Sequence, residues 1–251
     1  MRQPDRLSRI VEQISTNGSV GVGDLAETLG VSAATVRRDL QLLEEQRLLA
    51  RTHGGAVAHG VLYELPLRYR SARRHEEKMR IAAAAAALVA DGSSVGLTGG
   101  TTTTEVARRL ADGRSCTVVT NSLSIAFELA VRPNLKLVVT GGVARGESYE
   151  LVGPLAEATL EDINLDLALV GVDGISASGL TTHHEIEAHT NRALIGCARR
   201  VVVIADSSKI GQAAFARICG LDRVDELITD GLSGEAGREA IREAGVAVTL
   251  V

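Results

Sequence analysis

The sequence predicts an α/β chain in two parts: a small helical module closed by a β-hairpin, then a larger domain on a mostly parallel sheet. Three observations carry that prediction. Residues 1–57 hold three stretches of helical period followed by one hairpin signal. From Val95 onward, short and almost wholly apolar runs alternate with helical patterns, as expected of a parallel sheet covered on both faces. The formal charge of −4 is also unevenly spread: residues 1–75 carry 11 Lys+Arg against 8 Asp+Glu, net +3, and residues 76–251 carry 16 against 23, net −7. The two parts are therefore expected to do different jobs.

Composition narrows the class. At about 100–200 residues per domain, 251 residues suit one large domain or a small one joined to a larger one. A content of 45% hydrophobic and 23% charged residues excludes a chain disordered throughout. Aromatic residues make up 2% (Tyr63, Tyr69, Tyr149, Phe127, Phe215), so an aromatic stacking platform is not expected. Cys116, Cys197 and Cys219 show no CxxC spacing and an odd count, which argues against a disulfide framework or zinc ribbon and suits a reducing compartment. The apolar run over residues 81–90 is too short to span a bilayer, and no signal-peptide core precedes it. A cytoplasmic protein without membrane contact, metal or cofactor is expected.

Leu7, Ile10, Val11 and Ile14 recur at helical spacing between Pro4, which suits a first turn, and the Asn17-Gly18 stop. A second helix is expected over residues 24–29, ended by Gly30. Ser32 then stands as N-cap of a third helix reaching about residue 44. Val36, Leu40 and Leu43 share one face of it, which turns Ala34, Thr35, Arg37, Arg38 and Gln41 outward. Residues 47–57, with Leu48 and Leu49 ahead of Arg51-Thr52-His53-Gly54-Gly55, read as a β-hairpin wing. An arginine pair alone is more often a solvated helix face. Helix spacing, glycine turn, serine cap and basic wing together describe a helix-turn-helix DNA reader.

The run from Asp24-Leu25-Ala26 through Gly30-Val31-Ser32-Ala33-Ala34-Thr35-Val36-Arg37-Arg38-Asp39-Leu40, closing with His53-Gly54-Gly55-Ala56, resembles the winged helix-turn-helix of DeoR-family bacterial transcription regulators. The resemblance implies that the helix from Ser32 enters the major groove, with Arg51, His53 and Gly54 of the wing on the DNA backbone.

Residues 58–75, with Gly60, Pro66 and the arginines 68, 70, 73 and 74, show no sustained period and read as a connector. From Glu76 an alanine-rich helix runs to about residue 90. Strands are expected over residues 95–97, 118–120, 135–139, 167–170, 201–205, 226–229 and 246–251, and helices over 104–111, 123–130, 186–198 and 233–244.

Ligands of such sheets bind beyond the C-terminal strand ends. There the sequence places Thr98-Gly99-Gly100-Thr101-Thr102-Thr103-Thr104, then Thr120-Asn121-Ser122, Thr140-Gly141-Gly142, Gly171-Val172-Asp173-Gly174 and Asp206-Ser207-Ser208-Lys209. Each is individually explained by turn chemistry. Their convergence, with the single Lys209 among them, favours a polyhydroxylated anion held by backbone amides, hydroxyls and carboxylates. No GK[ST] is present, so the first loop is not a nucleotide P-loop.

Those loops, together with Leu151-Val152-Gly153-Pro154, Gly179-Leu180-Thr181-Thr182 and Glu187-Ala188, resemble the sugar-sensing domain of the same family, itself similar to the ribose-5-phosphate isomerase, glucosamine-phosphate deaminase and coenzyme A transferase fold group. The resemblance implies a phosphorylated sugar or related metabolite that alters DNA affinity. Two positions differ from the family pattern: Thr98 stands where an acidic residue is usual and Asn191 where a lysine is usual. A less charged sugar derivative or a differently placed phosphate stays open.

In Thr182-His183-His184-Glu185-Ile186-Glu187-Ala188-His189, the spacing of Thr182 and Glu185 is that of a capping box, which would put His183 and His184 in the first helical turn. Ligand hydroxyl contacts and plain helix-start packing are both open for these histidines, and the capping pattern counts against a zinc site. Asp206 is expected either to orient Lys209, to grip a hydroxyl or to serve a turn.

The sequence thus points to a ligand-responsive DNA-binding regulator, a repressor acting as a homodimer or homotetramer on repeated half-sites. The rival is a sugar-phosphate isomerase or deaminase with a DNA-binding appendage, in which Glu187, Asp173 and Lys209 would supply acid–base chemistry. An RNA-binding role is disfavoured by the few aromatics and the acidic larger domain.

Overall fold

A computed structural model describes residues 3–46, 48–58, 70, 74–232 and 235–251. The chain divides into two units, residues 1–73 and 74–251. Most of the expected connector, including Arg68 and Arg73, lies outside the described residues.

In the first unit, the helical periods become α1 (Gln3–Asn17), α2 (Val22–Leu29) and α3 (Ala33–Glu45). Gly30 ends α2 in the left-handed region at φ +63, which a residue with a Cβ rarely adopts. Leu7, Ile10, Val11 and Ile14 of α1 meet Leu25, Leu29, Val36, Leu40 and Leu43 in one small core. The expected hairpin is β2 (Leu49–Arg51) and β3 (Gly55–Ala58), and β3 also pairs with β1 (Ser19–Gly21). At three residues, β1 is too short to show a period in the sequence.

In the second unit, α4 (His75–Ala87) precedes β4 (Ser94–Leu97), α5 (Thr101–Ala111), β5 (Cys116–Thr120), α6 (Leu123–Leu129) and β6 (Leu135–Val139). A hairpin, β7 (Val143–Arg145) with β8 (Glu150–Val152), leads to α7 (Pro154–Glu161) and β9 (Leu167–Val170). Then follow β10 (Gly174–Ser176), β11 (Gly179–Thr182), α8 (Glu185–Gly196), β12 (Val201–Ile204), β13 (Ala216–Cys219), β14 (Glu226–Thr229), α9 (Glu235–Glu243) and β15 (Ala247–Leu250).

Seven strands form one sheet in the order β15-β14-β12-β9-β4-β5-β6, every pairing in it parallel. Alternate strand residues feed two cores. Leu167, Leu169, Val202 and Ile204 join Ile81, Val106, Leu110 and Ile125 of α4, α5 and α6. Ala168, Val170, Val201 and Val203 join Leu160, Leu194, Ile195 and Ile241 of α7, α8 and α9. Burial on both faces is why these strands read as unbroken apolar runs. The chain runs outward from β4 to β6, returns to β9 on the other side of β4, and continues outward. The strand order therefore reverses between β4 and β9, where ligands of open α/β sheets bind. The β7–β8 hairpin and the antiparallel β10-β11-β13 sheet, neither expected from the sequence, border that end.

Candidate functional site

In the first unit the presented surface is the outer face of α3 and the tip of the hairpin. Ser32 Oγ accepts the Thr35 backbone N–H at 3.2 Å and lies 3.0 Å from Thr35 Oγ1, so the helix start is capped as expected. Ala34, Arg37, Arg38 and Gln41 are exposed and Thr35 is half-buried. Gln41 donates to Glu45 at 3.1 Å. Glu44 ties α3 to the wing: it accepts the Arg51 backbone N–H at 2.9 Å and stands 3.9 Å from the Arg51 guanidinium. His53 and Gly54 are exposed at the hairpin turn, and the Gly54 carbonyl accepts the Val22 N–H at 2.9 Å.

Beneath this face lies Asp39, 1% exposed, which accepts from Arg6 Nη2 at 3.0 Å. The pair fixes how α3 is rolled against α1, and so which residues face outward. Its signal was in the sequence: Asp39 follows Val36 by three, inside the apolar stripe.

In the second unit the sequence-expected loops gather at the β4–β9 switch point. Thr98 is fully buried, and its Oγ1 accepts the Gly171 N–H at 2.9 Å, joining the ends of β4 and β9. Thr103 and Thr104 donate their hydroxyls to the Gly100 carbonyl at 2.9 and 2.7 Å. The first turn of α5, Thr101 to Thr103, is left with backbone N–H groups that have no partner inside the helix.

A Cβ on Gly99 would collide with the carboxylate of Glu150, so glycine is what lets that side chain lie against the loop. Glu150 arrives on β8, which is stitched to the loop after β5: Leu151 N–H donates to the Asn121 carbonyl at 2.7 Å and Leu123 N–H to the Tyr149 carbonyl at 2.8 Å. Asn121, fully buried, donates Nδ2 to Glu150 at 3.0 Å. A carboxylate only accepts, so this bond fixes the amide's orientation, and Asn121 Oδ1 is left without a donor among the described residues.

Arg145 opposes Glu150 in the β7–β8 register and stands 3.4 Å from Glu187. The Thr182 hydroxyl lies 3.2 Å from Glu187 and 3.0 Å from Asp173, bridging the two. Lys209 Nζ is 3.7 Å and His183 Nε2 3.9 Å from Asp173. The contacts thus form a ring: Gly171 to Thr98, Gly99 to Glu150, Arg145 to Glu187, and through Thr182 back to Asp173. Gly141 and Gly142 follow β6 at φ +71 and +118, and Gly142 admits the Val152 backbone at close range. Gly174 starts β10, buried against the Gln212 carbonyl.

One expectation is corrected, and two that were left open are narrowed. Thr182 does not cap α8; it lies in β11, paired with Ala216, and His184 is the N-cap, its Nδ1 accepting the Ile186 N–H at 3.4 Å. His189 is exposed, and among the described residues no three His, Cys, Asp or Glu side chains could hold a metal. Asp206 does not orient Lys209: it accepts from Ser208 and stands 3.5 Å from Arg74. A carboxylate and a cation are not missing from the site despite Thr98 and Asn191, because the β7–β8 hairpin brings in Glu150 and Arg145. That hairpin was missed because its strands have three residues each.

Below Arg74, Asp230 is fully buried. Burial pushes its carboxyl up, but the Ser207 hydroxyl, the Ser207 and Leu232 backbone N–H groups and the Arg74 charge outweigh this and hold it below the usual carboxylate range. Burial pushes the thiols of Cys116, Cys197 and Cys219 up, as for unreactive structural cysteines. No helix among the described residues is long and apolar enough to cross a membrane.

Comparison with known proteins agrees with this layout. Residues 6–59 match the model of the DeoR-like helix-turn-helix domain, and residues 73–231 that of the DeoR C terminal sensor domain. The chain is 39% identical to the HTH-type transcriptional regulator GlpR of Haloferax volcanii, over 99% of this chain and 98% of that one. It is 35% identical to the glycerol-3-phosphate regulon repressor of Escherichia coli, over 92% of each chain, and 34% identical to the HTH-type transcriptional repressor GlcR of Bacillus subtilis, over 98% and 95%. Among solved structures, ribose 5-phosphate isomerase A from Methanocaldococcus jannaschii overlaps 54% of each chain at 20% identity and TM-score 0.40. A probable sor operon regulator from Shigella flexneri overlaps 67% of this chain and 90% of its own at 15% identity and TM-score 0.41. With both family models matched in sequence and relatives alike along nearly their whole length, the chain belongs to the DeoR family of transcriptional regulators.

Proposed function

We propose that this regulator is a cytoplasmic repressor of a carbohydrate-metabolism operon, and that a sugar phosphate or related sugar metabolite at the switch-point ring controls its affinity for operator DNA. Residues 1–57 are the DNA reader, 58–75 the connector and 76–251 the sensor. The outer face of α3 (Ser32, Ala34, Thr35, Arg37, Arg38 and Gln41) enters the major groove, while Arg51, His53 and Gly54 touch backbone. The effector is held by the loops bearing Thr98 to Thr103, Asn121, Gly141-Gly142, Asp173-Gly174, Glu187, Asp206 and Lys209.

The observation that carries this reading is the pairing of an outward, capped helix bearing Arg37 and Arg38 with a separate unit whose loops close a ring at a sheet's switch point. An isomerase or deaminase is not favoured. Glu187 and Asp173, its candidate bases, share the Thr182 hydroxyl and each face a cation, Arg145 and Lys209. The relatives' names, a putative aga operon repressor and a glycerol-3-phosphate regulon repressor among them, support the carbohydrate assignment. A homodimer or homotetramer is proposed because one small reader buries little DNA surface, and the exposed Leu123 and Phe127 on one face of α6 offer an apolar contact.

The test is fluorescence anisotropy on the DNA beside the protein's own gene, at several salt concentrations, with and without a panel of sugars and sugar phosphates. Salt-dependent, sequence-selective binding that one of these compounds alters is expected. Binding indifferent to sequence overturns the regulator's reader, and binding indifferent to every sugar overturns its sensor.

A further inference from the structure

The chain enters the sensor at Arg74, the first residue of the second unit and the N-cap of α4. Arg74 stands at φ +48 and ψ +44, in the left-handed region that an L side chain rarely adopts. Such a backbone persists where its surroundings hold it. Here the side chain supplies the hold: Arg74 Nη1 donates to the Ser207 hydroxyl at 3.2 Å, and Nε stands 3.5 Å from Asp206. Both partners are buried, and the Ser207 N–H is itself fixed to Asp230 at 2.8 Å.

Asp206 and Ser207 open the 3-10 turn that carries Lys209. Asp206 caps the turn, accepting the Ser208 N–H at 3.0 Å, and the Lys209 N–H donates back to the Asp206 carbonyl at 3.0 Å. Residues 206–209 therefore move as one piece. One end of that piece holds Arg74, and the other sets Lys209 Nζ 3.7 Å from Asp173 on the ring. One tight turn thus joins the entry of the sensor to its ligand end, although 133 residues separate Arg74 from Ser207 in the chain.

A signal between two sites needs an element with two arrangements whose balance both sites bias. Arg74 has the makings of one, strained while clamped and able to return to an ordinary backbone angle once released. A φ/ψ change at a single residue redirects the chain that precedes it.

Building on the sensor reading above, we infer that Arg74 is the positioning residue that couples effector binding to the DNA reader. An effector engaging Lys209 or Asp206 shifts the turn, the guanidinium loses its hold, and the connector enters the sensor from another direction. Arg74 itself binds neither effector nor DNA.

The test uses the full chain with the panel of sugars and sugar phosphates, glycerol 3-phosphate, glucose 6-phosphate and fructose 6-phosphate among them. Titration calorimetry gives the Kd of each compound, and operator anisotropy gives the fold-change it causes in DNA affinity. In the unaltered protein at least one compound is expected to change operator affinity by about tenfold or more. Arg74→Ala fixes the released arrangement. Without any compound, it should show the operator affinity that the unaltered protein reaches only with the compound bound. By reciprocity it should bind that compound as tightly or more tightly, by up to the same factor. Arg74→Gly, which carries no backbone strain at this position, should behave alike and guards against a folding defect in the alanine variant.

A full operator response retained in either variant would overturn the inference, and so would compound binding weakened by more than about threefold, which would mark Arg74 as a prop of the pocket. Both outcomes leave the sensor reading standing. No effect of any compound on the unaltered protein sinks the sensor reading and this inference with it.

Discussion

The two units treat buried polarity in opposite ways. Within residues 3–58, no buried side-chain polar atom lacks a partner among the described residues, and the deeply buried Asp39 is answered by Arg6. In the sensor, the amide oxygens of Asn121 and Asn191 have no hydrogen-bond donor among the described residues, while Glu187 Oε1 is met by the Arg145 guanidinium at 3.4 Å. A buried acceptor left unmatched costs about 1–3 kcal/mol, so two together make sense where a ligand supplies the donors. The first unit pairs its buried polar groups and leaves Arg37 and Arg38 exposed, whereas the second leaves buried acceptors unmatched.

The sharpest way to break this contrast is Asp39→Ala. Removing one partner of a buried pair leaves Arg6 uncompensated, and a loss of about 3–5 kcal/mol is expected, seen in denaturant unfolding of the first unit and in lost operator affinity. An unchanged unfolding midpoint would show that the pair does not hold α3. Next is Glu150→Gln, which takes the charged acceptor from Asn121 and should weaken effector binding by about 1.5–3 kcal/mol in calorimetry; unaltered affinity would remove Glu150 from the site. Arg37→Ala is expected to cost about 1–3 kcal/mol of operator discrimination, read by anisotropy on operator against scrambled DNA, with effector affinity untouched. If both DNAs lose equally, Arg37 touches phosphate rather than bases.

The smallest effect concerns acid. Asp230 has a carboxyl pKa held low in the fold, so its contribution is fully present above the unfolded value of about 3.9 and fades as pH falls through the lower folded value. Asp230→Asn should therefore narrow the gap in melting temperature between neutral pH and about pH 3. An unchanged acid limb would mean that other carboxylates govern it.

Much of this was legible in the residues. The periods of α1 to α3, the Ser32 cap and the Gly30 stop appear in the structure where the sequence put them, because each is a local device acting over one or two turns. The sheet strands were legible for a different reason: central strands such as β9 and β12, buried on both faces, leave unbroken apolar runs, and the half-exposed edge strands β6 and β15 are still mostly β-branched and apolar. What escaped was short or nonlocal. β1, β7 and β8 have three residues each, below the length at which alternation shows. The capping-box reading of Thr182 failed because a strand partner and two carboxylates claimed that residue first.

By itself, the sequence determined that a basic helical reader precedes an acidic parallel-sheet domain, and that glycines, threonines and an asparagine collect at the strand ends. These are consequences of local propensity and of burial pattern, both written along the chain. Only the tertiary structure decided that Glu150 and Arg145 complete the ring, that Asp39 turns the outer face of α3 to solvent, and that Asn121 and Asn191 keep an oxygen without a donor. Those facts depend on what the fold brings opposite each side chain, and pairing across 33 residues, or across the 29 that separate Asn121 from Glu150, leaves no period to read.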